Sequence, residues 1–202
     1  MSAGKKSILL ILLILILDQT LKIWIKTHMT IGQEFHLFGN WGIIHFIENN
    51  GMAFGMELGG KPGKLALSMV RLTAIFGIGW YLAGLIRAKS NTGLVLALSA
   101  VMAGAIGNLI DSAFYGIIFN ESFTNPAVLF PPQGGYSSFL HGRVVDMFYF
   151  PIIDTYWPTW SPIKPGESFV FFRPIFNLAD SAITFGVFTI ILFQKHFFTE
   201  SK

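Results

Sequence analysis

The sequence predicts a mainly α-helical membrane protein: four transmembrane helices with extracytoplasmic surface loops. Three observations predict it. The 202 residues are 52% hydrophobic and 12% charged, with a mean hydropathy of +0.58, whereas soluble domains carry about 25% charged residues. Four stretches are apolar over the roughly 20 residues that a bilayer crossing requires. The basic residues flank those stretches and do not cluster, so the net charge of +3 and pI near 9.2 fit orientation in a bilayer and imply no nucleic-acid partner. The chain has no cysteine, which excludes disulfides, thiolate metal sites and a cysteine nucleophile.

The elements follow in order. The first span is expected over about 7–25, opening with the unbroken apolar run Ile8 to Leu17. Lys5 and Lys6 before it give it the look of a cleavable leader. No small-x-small cleavage site follows, and Asp18, Lys22 and Trp24 continue the segment, so it reads as a retained span. An outer loop, about 26–64, carries two short strands, Phe35 to Phe38 and Gly42 to Phe46, turned by Gly39 and Asn40. The second span, about 65–86, has Arg71 as its only charge, and the third covers about 93–115. A long outer loop, about 116–174, is rich in Pro, Gly and aromatics. Its segment Asp154 to Gly166 is expected at the headgroup layer because Tyr and Trp rings suit that zone. The fourth span is expected over about 175–198. Lys5, Lys6, Arg87, Lys89, Lys195 and Lys202 all fall on one side, which puts both termini in the cytoplasm and the long loops outside. The whole chain, 1–202, reads as one domain without internal repeats.

Ionisable groups inside spans are costly and usually functional. Asp18 and Lys22 are four apart on one helix face in the outer half of span one. Asn108 and Asp111 lie near the outer end of span three, Asp180 at the outer start of span four, and Asp146 in the loop before it. Four acids from four segments thus reach one depth on one side. Bland readings stand beside this. Asp18 with Lys22 reads first as a structural ion pair, and Asn108 with Asp111 as a polar cluster at a helix end. Asp180 could cap its helix, although Asn177 competes for that role. Asp146 could pair with Arg143 at the surface. The residues alone leave a catalytic Asp146–Asp180 pair open. His141 has no partner at ligand spacing, and neither an HExxH zinc motif, a GxSxG elbow nor a GxGD motif occurs, so no metal or cofactor is expected. A proton or ion transporter would show paired halves or helices broken at mid-depth, and neither is visible; a non-catalytic scaffold would pair its acids internally.

Five segments nevertheless match one family in order. Asp18-Gln-Thr-Leu-Lys22, Glu48-Asn-Asn-Gly51-Met-Ala-Phe-Gly55, Gly104-Ala-Ile-Gly-Asn108-Leu-Ile-Asp111, Arg143-Val-Val-Asp146-Met147 and Phe176-Asn177-Leu-Ala-Asp180-Ser181 resemble the motifs of bacterial lipoprotein signal peptidase, signal peptidase II. The resemblance implies an aspartic endopeptidase of the inner membrane. It would remove signal peptides from diacylglyceryl-modified prolipoproteins, cutting just before the lipid-modified cysteine. It makes Asp146 and Asp180 the catalytic pair and Asp18, Lys22, Asn49, Gly51, Asn108, Asp111, Arg143 and Asn177 the support around site and substrate. It also implies a small extracytoplasmic β-cradle with a surface helix beside it, membrane lipid as a partner and inhibition by a globomycin-like cyclic lipopeptide. The outer loops, Asn49 to Gly55 above all, would cover the pair. Two departures stand out. Ser112 follows Asp111 where the family commonly has Arg, with Arg143 or Arg71 as candidates to compensate, and 151–173 is extra material between the two acids.

Overall fold

The computed structural model describes residues 1–50, 60–162, 164–171 and 174–198. Helix α1 covers Ala3–His28, α2 Gly60–Arg87 and α3 Thr92–Ile110; a π-helical turn, Asp111–Tyr115, and a last α-helical turn, α4, Gly116–Ile118, continue α3. These make three helices long and apolar enough to cross a membrane, Ala3–His28, Pro62–Arg87 and Thr92–Ile118. Helix α5, Leu178–Leu192, is equally apolar but has 15 residues, and a short α6, Gln194–Phe198, follows it. The expected start of this last helix at 175 is corrected to Leu178. Ile175–Phe176 are taken up as a strand, and Asn177 then caps the helix, its side-chain oxygen accepting from the Asp180 backbone N–H at 2.8 Å.

Helix α3 is the central member, packed against α1, α2 and α5. Small residues make the contact close. A Cβ at Gly104 would run into the Ala179 carbonyl oxygen, and one at Gly107 would meet Asp18 Oδ2 at 2.8 Å. The burial pattern of α1 is the reverse of a soluble helix. Ile8 and Leu13 are 61% and 55% exposed, whereas Ser7, Asp18, Lys22 and Lys26 are buried. Lipid is the solvent that makes this arrangement favourable, since it accepts apolar side chains and rejects charges.

Six strands complete the fold: β1 Glu34–Phe38, β2 Gly42–Asn49, β3 Val144–Tyr149, β4 Ile153–Tyr156, β5 Ser168–Phe171 and β6 Ile175–Phe176. β1, β2, β3 and β6 form an antiparallel sheet in that order, the small cradle that the resemblance implies, of which the strand signals predict β1 and β2; β2 and β3 are largely buried, and β1 is an exposed edge. A separate two-stranded sheet pairs β4 with β5. Its register continues that of β3 and β6. Phe148 faces Phe176, Tyr156 faces Ser168, and the step between these pairs is eight residues on each arm. The extra segment is therefore the outer half of a single hairpin, interrupted opposite Pro151 and Pro174, which have no N–H to donate to a ladder. The surface helix implied by the resemblance is not among the described residues.

Candidate active site

Residues 18, 22 and 26 lie on one face of α1, since helical neighbours recur every three to four residues. Lys22 is wholly buried, with its ammonium 3.0 Å from Asp18 Oδ2 and 2.8 Å from Asp111 Oδ2. Its third proton goes to Asn108 Oδ1 at 3.0 Å. An ammonium has three donors and no acceptor, so this cation is saturated, a structural clamp of α1 on α3. Asp18 also accepts the Ala179 N–H at 2.9 Å and so holds the start of α5. Gln19 completes the knot: its Nε2 donates to Asp111 Oδ1 at 2.9 Å, and its Oε1 accepts the Tyr115 hydroxyl at 3.1 Å. The π turn matters here. It admits an extra residue to one helical turn, and Asp111, Ser112, Ala113 and Tyr115 are all buried within it.

The two expected catalytic acids are placed by the two arms of the hairpin, one on β3 and one in the helix that follows β6. Asp146 lies on β3 and is 2% exposed. Asp180 is the third residue of α5, three beyond the cap that follows β6, and is partly buried. Asn177 joins them. Its Nδ2 donates to Asp146 Oδ1 at 2.7 Å, while its own oxygen caps the Asp180 N–H. Asp180 returns the bond in a capping box, Oδ2 accepting from the Asn177 N–H at 3.3 Å, so Asn177 relieves it of only part of the capping role. Its other oxygen accepts Asn108 Nδ2 at 2.7 Å. Asp146 Oδ2 accepts Asn49 Nδ2 from the end of β2. Burial, with the Asp180 charge second, pushes the Asp146 carboxyl up to about 8.

The surface alternative for Asp146 fails on this geometry. Arg143 ion-pairs with Glu48 at 2.9 Å and with Glu121, its guanidinium lying 4.4 Å from the Tyr136 ring centre. Glu48 also binds the buried Lys26. Arg143 therefore supports the cradle from outside the carboxylate cluster. Of the two candidate cations it is Arg71 that reaches Ser112: its Nη1 donates to the buried Ser112 hydroxyl at 3.2 Å, and Asp180, Asp111 and Asp146 all act on its charge. Lys64, two turns earlier on α2, donates to the Asn50 carbonyl at 2.9 Å and approaches Ser112 at 3.5 Å. A cleft of about 280 Å³ opens beside it, lined by residues that include Asn50, Glu121, Tyr136, His141 and Arg143.

Seven of the eight expected support residues are thus placed: Asp18, Lys22, Asn49, Asn108, Asp111 and Asn177 in one network with the two acids, and Arg143 beside it. Gly51 lies outside the described residues, as does most of the cover expected over Asn49 to Gly55. His141 is held by Ser138 and the Phe139 carbonyl, and among the described residues no acid–histidine cluster is spaced for a metal ion. The sequence reading assigned no role to Gln19, Lys26 or Lys64. The signal for Lys26 was present, one further turn along the Asp18–Lys22 face. Nothing in the sequence marks Gln19 or the π turn.

The family model described as Signal peptidase (SPase) II matches residues 10–196. A lipoprotein signal peptidase of Porphyromonas gingivalis is 50% identical over 190 residues, 94% of this chain and 82% of the relative. That of Amoebophilus asiaticus is 36% identical over 187 residues, 91% of this chain and 75% of the relative. Two structures of bacterial membrane enzymes solved by the in meso method superpose with TM-scores of 0.61 and 0.60 at 25% and 26% identity. They cover 98% and 93% of this chain, and 93% and 91% of their own. With five ordered motifs converging on one buried carboxylate network and the family model spanning nearly its whole length, the chain belongs to the signal peptidase II family.

Proposed function

We propose that the protein is a four-span aspartic endopeptidase that removes the signal peptide of diacylglyceryl-modified prolipoproteins, cutting just before the lipid-modified cysteine. The observation that carries this reading is the bridge at Asn177, which ties Asp146 and Asp180 into one unit at the root of a hairpin. Burial, with Asp180 second, pushes the Asp146 carboxyl up to about 8, so Asp146 carries the proton of the pair at neutral pH; two adjacent carboxylates titrate as a unit. Asp180 takes a proton from a water, which attacks the scissile carbonyl. Asp146 donates a hydrogen bond to the carbonyl oxygen, and the pair then returns a proton to the leaving amine. Arg71, Lys22 and Asn108 hold the charges around the pair in place. Neither a metal nor a cofactor takes part.

Helices α5 and α6 together form the fourth span, since 21 residues from Leu178 to Phe198 reach roughly 30 Å at ~1.5 Å per residue. Both termini are then cytoplasmic, the cradle and the acids lie at the outer face of the bacterial inner membrane, and the chain works as a single domain. The substrate's acyl chains stay among lipid while its peptide meets water at the acids. A globomycin-like lipopeptide competes for that place. The test is cleavage of a lipid-modified precursor by Asp146→Asn and Asp180→Asn in membranes. Each variant should insert normally and lose all turnover; near-normal turnover by either would overturn the pair.

A further inference from the structure

The extra segment between the two acids has a geometry of its own. β4 and β5 continue the β3–β6 register outward, with Trp157 N–H donating to the Glu167 carbonyl at 2.8 Å beyond the last pair. At its root the hairpin runs straight into the first turn of α5, with only Asn177 between β6 and the helix. The outer half packs chiefly on itself. Trp157 rests on Phe169, ring centres 4.9 Å apart, and Lys164 and Glu167 pair at 3.1 Å. Beside the exposed Thr155, Thr159 and Ser168, the outside carries an apolar and aromatic set: Ile152, Ile153, Phe171, Tyr156 at 73% exposure and Trp160 at 82%.

We propose that this outer half of the hairpin is a lipid-binding element lying in the headgroup layer of the leaflet that α5 enters at Leu178, with Tyr156 and Trp160 at the acyl boundary. The inference rests on the four-span reading. The occupant follows from continuity. The hairpin grows out of the end of an apolar helix whose own outward side chains, Phe185 and Phe188 among them, are exposed, so its free surface prolongs a lipid-facing one. The side-chain chemistry agrees, because amphipathic Tyr and Trp rings gather at membrane interfaces. Because both arms lead back to the acids, contact with lipid at the tip sets the height of Asp146 over the bilayer.

The absence of cysteine makes any introduced thiol unique. Spin labels at Thr159→Cys, Phe185→Cys and Asn125→Cys, in the full-length protein in phosphatidylcholine vesicles, are read by their collision rates with oxygen and with a water-soluble nickel chelate. The ratio of oxygen to nickel collisions should be several-fold higher at 159 than at 125, and Trp160→Asp with Ile153→Asp should lower it toward the value at 125. A label at 159 as open to nickel as that at 125 overturns the proposal. So does one shielded from both reagents, which would mean a protein partner or a second copy. A nickel-accessible label at 185 would instead fault the four-span reading.

Discussion

Asn177 is the residue on which most depends. It is wholly buried, caps α5 and donates to Asp146, Asn108 and the Val145 carbonyl. Ser at this position keeps the cap but loses the amide donor. Asn177→Ser should therefore cost about 1–2 kcal/mol of stability yet lower cleavage on the order of 10²-fold through misplacement of the acids. Equal and small effects on both would show that Asn177 only caps. The raised Asp146 group gives a pH prediction. Its folded value, about 8, lies above the ordinary carboxylate value of 3.8. Its contribution to stability is therefore fully present below that ordinary value and lost as pH rises through about 8. Cleavage should fall over the same upper limb because the proton-donating acid is lost; a rate that stays flat well above it would disprove the assignment. At Ser112, an added guanidinium would crowd Arg71. Ser112→Arg should impair cleavage about tenfold or more, since buried like charges repel, and Ser112→Arg with Arg71→Ser should restore much of it; no recovery would mean the two positions do not share one cation. Asp18, Asp111 and Asp180 are legible because charge inside an apolar run is conspicuous, whereas the pairing of Asp146 with Asp180 comes from the motif resemblance. Gln19 is not legible, since an amide beside Asp18 announces no partner until α3 is packed against it.

At the scale of elements, the closeness of α3 to α5 is the feature that fixes the acids relative to Lys22. Gly104→Val would place its Cβ against the Ala179 carbonyl, and overpacking of this kind costs about 1–3 kcal/mol. The variant should show a lower melting temperature together with reduced cleavage, and an unchanged melting temperature would show that the helices can part at no cost. Residue order located three spans and two of the four cradle strands, β1 and β2, because lipid exposure and short strand runs between turn residues are written directly into it. It misplaced the start of the last helix. Ile175 and Phe176 are as apolar as any span residue, and only pairing with β3 makes them strand. The π turn is likewise invisible in sequence, being a consequence of how Asp111, Ser112 and Tyr115 are all drawn inward.

For the whole molecule, the sidedness of the charges predicts that a reporter fused after Lys202 and one inserted in the 116–143 segment report opposite faces of the membrane; reporters on the same face would rule out four spans. The hairpin carries a further consequence, for length. Its two arms keep one register in both paired stretches, Phe148 and Tyr149 with Phe176 and Ile175, and Ile153 to Tyr156 with Phe171 to Ser168. Successive strand residues point to opposite faces, so a slip of one residue turns every side chain over. The segment can therefore be shortened or lengthened in even, two-armed steps. Taking Ile153 and Phe171 out together leaves the root in register, whereas taking Tyr149 alone shifts β3 against β6 and turns Asp146 away from Asn177. Change in the size of this chain is tolerated by parity, and trimmed forms that still cleave should all have lost equal numbers from both arms.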